Sequence, residues 1–391
     1  MSADDAVDPF GYAELLTHAE RAKLAELRRY LDAHVRPHVG AWWRDAHCPP
    51  HVREELATLR LDDDPAVLGA DGRPRPLYVG FRGFELARVD LSVAMLYGGQ
   101  ANMFRTVVRE GGSPDQVAAL DADIAAFRTT GCFALTEPDH GSDATRGMTT
   151  RAVRDGTGWR ISGRKRWIGN AAVSDLLAVA AVDEDGAAGV YLVPRDAPGV
   201  RLDEIDDKIS VRLVRNADIE LRDVRVGDDA RLARVTDARD LARIFESLRP
   251  DVAWFAAGMQ TGAYEAARAH ALGRVQFGRP IAAFQLVQDK LARMLGNATA
   301  SLAMAVGLTL SGRSGGEGER NAALAKAWTS DALRETVALG REIVAAEGIR
   351  ADHAVARFFA DAEALYTYEG THDISHLIVG RAITGHSAFA R

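Results

Sequence analysis

The spacing of apolar residues changes twice along this chain, and that change limits its possible folds more than any other feature. From Tyr12 to Thr130 the period is helical: Leu15, Leu16 and Ala19, then Leu24, Leu27, Tyr30 and Leu31, recur at three and four residues with charges opposite. From Gly131 to about Val226 the period is two. Residues 132–136, 159–162, 176–182, 190–193 and 219–224 read as short strands, with Asp155-Gly156 and Asp185-Gly186 as turns. After about Ala238 the helical period returns, over 253–272, 284–310, 321–346 and 374–383. This order predicts a mainly α chain with a central β insertion: an N-terminal helical domain (1–130), a small β-barrel or sandwich (131–237) and a C-terminal four-helix bundle (238–391). Prolines 49, 50, 65, 74 and 76 make 48–76 a loop-rich cover with one short helix, and 311–318 reads as a loop between helices.

Composition removes several functions. At 47% hydrophobic residues the chain has enough apolar surface to fold on its own. Its 48 cationic and 55 acidic side chains leave a net charge of −7 with no basic stripe, so nucleic acid is not an expected partner. Two cysteines, Cys48 and Cys132, supply neither a disulfide framework nor a cysteine zinc site. The acidic first ten residues lack the features of a signal peptide, and no uncharged apolar run reaches 18 residues. The expectation is a cytoplasmic protein with no membrane span. Zinc-protease, serine-hydrolase and P-loop motifs are absent. His372 and His376 stand four apart and could share a metal, but no third ligand is evident. A solvated or packed helix face is the favoured reading, and no metal is expected.

Four stretches could carry chemistry. In Leu135-Thr136-Glu137-Pro138-Asp139-His140-Gly141-Ser142-Asp143 a strand leads into a hydroxyl and a Gly-Ser pair, suited to a phosphate or a heterocycle edge and equally to an ordinary acidic turn. Arg166-Trp167-Ile168-Gly169-Asn170 offers a Trp that belongs either to the core or to the wall of an aromatic cofactor. In Arg274-Val275-Gln276-Phe277-Gly278-Arg279-Pro280, Gly278 and Pro280 are expected to end one helix and Gln285 to open the next. An exposed Arg274 and Phe277 could then meet a phosphate and a ring. In Leu365 to Asp373, Glu369 lies between apolar helices beside Tyr368 and Gly370, with Thr371 as N-cap and Asp373 in the first turn. A half-buried carboxylate there should have a raised pKa and could act as a base; spacing alone favours a helix-start acid.

Taken together, these stretches resemble the acyl-CoA dehydrogenase family over nearly the whole chain. Tyr368-Glu369-Gly370-Thr371-His372-Asp373-Ile374 and the downstream 380–385 segment are most similar to the glutaryl-CoA dehydrogenase branch. The resemblance implies FAD-dependent α,β-dehydrogenation of an acyl thioester, carried by CoA or a carrier protein. Glu369 would be the α-proton-abstracting base, with hydride leaving to the flavin. Its backbone amide would polarise the thioester carbonyl. Phe133, Leu135, Thr136, Gly141, Ser142, Trp167, Ile168 and Gly169 match the loops holding the isoalloxazine, and Ser142 also reaches the pantetheine arm. Arg274, Phe277 and Gln285 match residues that bind FAD from the neighbouring subunit, implying a homodimer or homotetramer, and Thr371 matches a FAD-phosphate contact. Glu246 and Arg249 match an acid–Arg pair beside the thioester, where Gly370 follows the base. An electron-transfer flavoprotein would be the usual acceptor.

Three positions depart from the pattern. Gly169 replaces a Thr that donates to flavin N5, which keeps open an oxidase or monooxygenase on the same fold. Ala345-Ala346-Glu347-Gly348 replaces Gly-Gly-Asn-Gly near the pyrophosphate, which crowds it and adds like charge and keeps open a non-catalytic binding subunit. Ala94 stands where glutaryl-CoA dehydrogenases place an Arg for the distal carboxylate, so glutaryl-CoA is not the expected substrate.

Overall fold

The structure is a computed structural model that describes residues 7–313 and 315–388, with Glu246 described by its backbone only. Its first part is helical: α1 (His18–Tyr30), α2 (Val39–Asp45), α3 (Pro50–Thr58), α4 (Pro76–Val89), α5 (Leu91–Gly98), α6 (Arg105–Gly111) and α7 (Pro114–Ala125). Local signals start these helices. Thr17 and Ser113 form capping boxes with Glu20 and Gln116, and Pro50, Pro76 and Pro114 occupy first-turn positions where a missing N–H costs nothing. α4 is buried on nearly every side, and it packs against the first long helix of the C-terminal part, Pro250–Gly273. A Cβ on Gly80 would stand 2.1 Å from the Trp254 ring, so glycine permits that approach.

The strands are β1 (Gly131–Ala134), β2 (Arg151–Asp155), β3 (Gly158–Ile168), β4 (Leu176–Val182), β5 (Ala188–Pro194), β6 (Val200–Glu204) and β7 (Ala217–Gly227). They form one curled sheet in the order β1-β4-β2-β3-β7-β6, with β5 antiparallel to β4. β1 runs parallel to β4, placing Phe133 opposite Ala178, and separate apolar clusters cover the two faces. β2 and β6 escape a sequence reading because they carry charges and leave most positions exposed or half-exposed, which blurs the period of two.

The chain then continues as α8 (Ala238–Leu248), α9 (Pro250–Gly273), α10 (Gln285–Ser311), α11 (Gly315–Val344), α12 (Ala354–Thr367) and α13 (His372–Thr384). α9 packs on α10, α11 and α12, and α11 also packs on α13. Two expectations need correction. The helix before Gly278 stops at Gly273, and 275–280 forms a small hairpin of β8 (Val275–Gln276) and β9 (Arg279–Pro280), with Phe277 and Gly278 at φ 51° and 78°. α11 begins at Gly315, inside the expected loop. α12 carries a fifth apolar repeat that the sequence reading did not pick out. α10 is long and apolar enough to cross a membrane by length and composition alone, although the sequence has no uncharged apolar run of that length. In this fold it packs along α9 and α11.

Candidate active site

Glu369 occupies the break between α12 and α13. It lies at φ 56° and Gly370 follows at φ 89°, a left-handed pair that costs the glutamate roughly 1–2 kcal/mol. Both flanks hold this turn. The Lys326 ammonium on α11 donates to the Gly370 carbonyl, and Thr371 caps α13 by accepting from the Ile374 N–H at 3.3 Å. The residue keeps some surface, but Glu369 Oε2 is fully buried and has no hydrogen-bond partner. Among the described residues the Glu369 N–H also finds no acceptor.

Burial raises the Glu369 pKa to about 7, although the nearby cations Arg249 and Lys326 pull it down; the Asp251 carboxylate adds to the rise. Lys326 shows the converse effect: burial lowers its pKa to about 8 against the attraction of Glu369. The Tyr368 hydroxyl and the Nε and Nη1 of buried Arg249 also lack partners. A carboxylate, a guanidinium and a phenol therefore converge here with polar atoms unused, in surroundings where unused polar atoms are costly.

The α4, α5 and α9 wall beside this point is polar. Arg82 donates to Asp62 and to Asn102 Oδ1, Tyr97 donates to Asp62 at 2.5 Å, and Asn102 donates to Asp251 at 2.7 Å. Ala94 lies fully buried on α5 and offers no cation. Sequence reasoning missed Lys326, Asp251, Arg82 and Asn102. The available signal was a Lys inside the apolar run Ala322 to Ala327 and an Asp two residues after Arg249.

The sheet contributes a second set of residues. Lys165 on β3 lies fully buried, 3.0 Å from Glu137 Oε1, and donates to the Leu135 carbonyl at 3.0 Å. Glu137 also accepts from the backbone N–H and hydroxyl of both Thr149 and Thr150. Burial opposes its ionisation, but Lys165 and these donors outweigh burial and bring its pKa down to about 2. The Arg166 N–H donates to the Thr136 carbonyl at 2.9 Å. These bonds tie the loop after β1 to the end of β3, bringing Thr136 beside the Trp167 segment.

Trp167 is 52% exposed at φ 62°, and its carbonyl accepts from Asn216 at 3.2 Å. A Cβ on Gly169 would meet nothing nearer than 3.7 Å, so this position has room. Gly141 and Ser142 are exposed and available to a ligand. Phe133, Leu135 and Ile168 are buried in the apolar clusters of the sheet, so their side chains serve packing and only their backbone is available to a ligand.

Most other candidates lie at the surface of this chain. Arg274 and Gln285 are exposed, and Phe277 is 92% exposed on the hairpin tip. The Glu246 side chain lies outside the described residues. Ala345 adopts φ 49°, and its carbonyl accepts from Arg341 at 2.7 Å. Glu347 lies 3.5 Å from Arg350, so its carboxylate already faces a cation.

Comparison with known proteins fits this arrangement. The model of the acyl-CoA dehydrogenase middle domain matches residues 132–224, and that of the acyl-CoA dehydrogenase C-terminal domain matches 239–384. The chain is similar to the crystal structure of glutaryl-CoA dehydrogenase from Mycobacterium smegmatis, at 32% identity and TM-score 0.91 over 98% of this chain and 99% of that one. A second structure, a glutaryl-CoA dehydrogenase from the same organism in complex with FADH2, matches at 28% identity and TM-score 0.90, over 98% and 99%. A probable acyl-CoA dehydrogenase of Bacillus subtilis, YngJ, is 29% identical over 76% of this chain and 80% of its own length. With both domain models spanning most of the sequence and a relative this similar over nearly its full length, the chain belongs to the acyl-CoA dehydrogenase family, an oxidoreductase family.

Proposed function

We propose that the chain removes the α and β hydrogens of an acyl thioester, with Glu369 taking the α-proton. The observation that carries this is the Glu369 carboxylate, whose buried Oε2 has no hydrogen-bond partner and whose pKa is held at about 7, at the position that matches the family's base. A base matched to neutral pH contributes on the order of 10²–10⁴-fold. The Glu369 N–H, which has no acceptor among the described residues, would donate to the thioester carbonyl and so acidify the α-carbon. Lys326 and Thr371 fix the turn that aims both groups.

FAD, when bound, supplies the hydride acceptor. The residues fit it on the flavin side: Thr136 and Trp167 are brought together, Gly169 leaves room beside them, and Thr371 opens a 13-residue helix suited to a phosphate. Arg274, Phe277 and Gln285 are exposed in one chain, which supports the reading that they serve a neighbouring copy in a homodimer or homotetramer. An electron-transfer flavoprotein is the proposed acceptor, and the cytoplasm the proposed location.

The proposed substrate is an acyl thioester without a distal carboxylate. Ala94 offers no cation, while Arg82 is engaged by Asp62 and Asn102. Anaerobic bleaching of the flavin across a panel of acyl-CoA thioesters tests this, and glutaryl-CoA should bleach far more slowly than a monocarboxylic thioester of similar length. Equal rates would contradict the assignment. If no CoA ester bleaches the flavin, the carrier-protein thioesters come next. Gly169 favours a second reading, an oxygen-using enzyme. Fast air reoxidation of the reduced protein, slowed in Gly169→Thr, would support it.

A further inference from the structure

The helix that starts just after Glu369 carries a cluster that the proposed reaction does not use. His372 and His376 lie four apart on α13, and Asp331 reaches them from α11. One ligand atom from each of these side chains can be chosen so that all three lie within 4.8 Å of one another. The sequence shows the two histidines but not the third group, which lies 41 positions upstream of His372.

The local packing suits coordination. His372 Nε2 stands 3.4 Å from Asp331 Oδ2, and two ligands about 2.0–2.1 Å from a tetrahedral zinc ion stand about 3.3 Å apart. The His372 ring is stacked on Tyr366 at 4.4 Å and packs against the His376 ring at 4.3 Å, which fixes its orientation. His376 and Asp331 are exposed, so their rotamers can close the remaining distance. Arg334 is held by Glu363 at 2.9 Å and lies over the Tyr366 ring; the Lys326 ammonium, which also acts on His372, is tied to the Gly370 carbonyl, and Asp373 adds a further negative charge.

We propose that Asp331, His372 and His376 form a divalent-metal site of zinc type that staples α13 to α11, with a fourth position open to water. Two imidazoles and one carboxylate are the donor set that zinc and cobalt accept and that calcium and magnesium do not favour. The staple would join the helix holding Lys326 to the helix that begins at Thr371, and so brace the turn carrying Glu369.

The test uses the untagged holoenzyme after dialysis against a chelator. Zinc chloride titration by calorimetry should show one ion per chain. Cobalt should add tetrahedral d–d bands beyond the flavin absorption, and excess zinc should raise Tm by about 2 °C or more. His376→Ala and Asp331→Asn, both at exposed positions, should keep the metal-free Tm and weaken zinc binding at least tenfold. No saturable zinc binding, or zinc binding unchanged in both variants, would overturn the proposal.

Discussion

At the scale of single residues, Glu369 accepts a strained backbone and a buried, unpartnered oxygen, and its neighbours set its titration. Because the fold raises its pKa from 4.5 to about 7, the protonated form favours the folded state. That contribution is complete below about pH 4.5 and is lost as pH rises through about 7. Glu369→Gln should therefore gain Tm over the native protein at pH 8 and lose that advantage near pH 4, as thermal unfolding at the two pH values would show. Catalysis depends on the same group with the opposite sign, since the base must be ionised. kcat/KM should rise with pH through about 7. Asp251→Asn removes a negative charge that disfavours ionisation, so it should move this limb to lower pH; an unmoved limb would mean that Asp251 does not act on the base. The sequence made Glu369, Gly370 and Thr371 readable because their signals are local: a carboxylate, a glycine and a cap at a helix junction. Lys326, Asp251 and Arg82 were unreadable because each acts on a partner far away in the chain, and a lone charge in an apolar stretch does not name that partner.

At the scale of elements, the loop after β1 is positioned by one buried ion pair rather than by its glycines. Lys165 interrupts the alternation of β3 and meets Glu137, which collects four further donors from Thr149 and Thr150. Removing one member of such a pair leaves an unpaired buried charge, typically costing 3–5 kcal/mol. Lys165→Met should destabilise the protein by about that amount in a denaturant titration and loosen flavin binding, because Thr136 and Trp167 would lose their common anchor. Arg164→Met, at an exposed neighbour on the same strand, should change stability by about 0.5 kcal/mol or less. Long elements with one apolar face were readable: α9, α10 and α13 stand within a few residues of their expected spans. The hairpin at 275–280 was not, because two-residue strands have no period to read, and Phe277 in a left-handed conformation has no sequence signal.

At the scale of the whole molecule, the chain leaves unusual apolar surface on its C-terminal helices and hairpin. Phe277 is 92% exposed, Leu286 76% and Val275 54%. Such surface, next to the exposed Arg274 and Gln285, is what an assembly of copies would cover. Phe277→Ser should lower the assembly state in sedimentation at low concentration and reduce flavin occupancy in parallel. Loss of one without the other would separate assembly from cofactor binding. The central claim, that Glu369 removes the α-proton, is tested most directly by the anaerobic rate of flavin bleaching by a productive acyl thioester, comparing the native protein with Glu369→Gln at equal flavin content. A fall of about 10²–10⁴-fold with the visible spectrum intact is the predicted result. Bleaching at the native rate in the variant would contradict it.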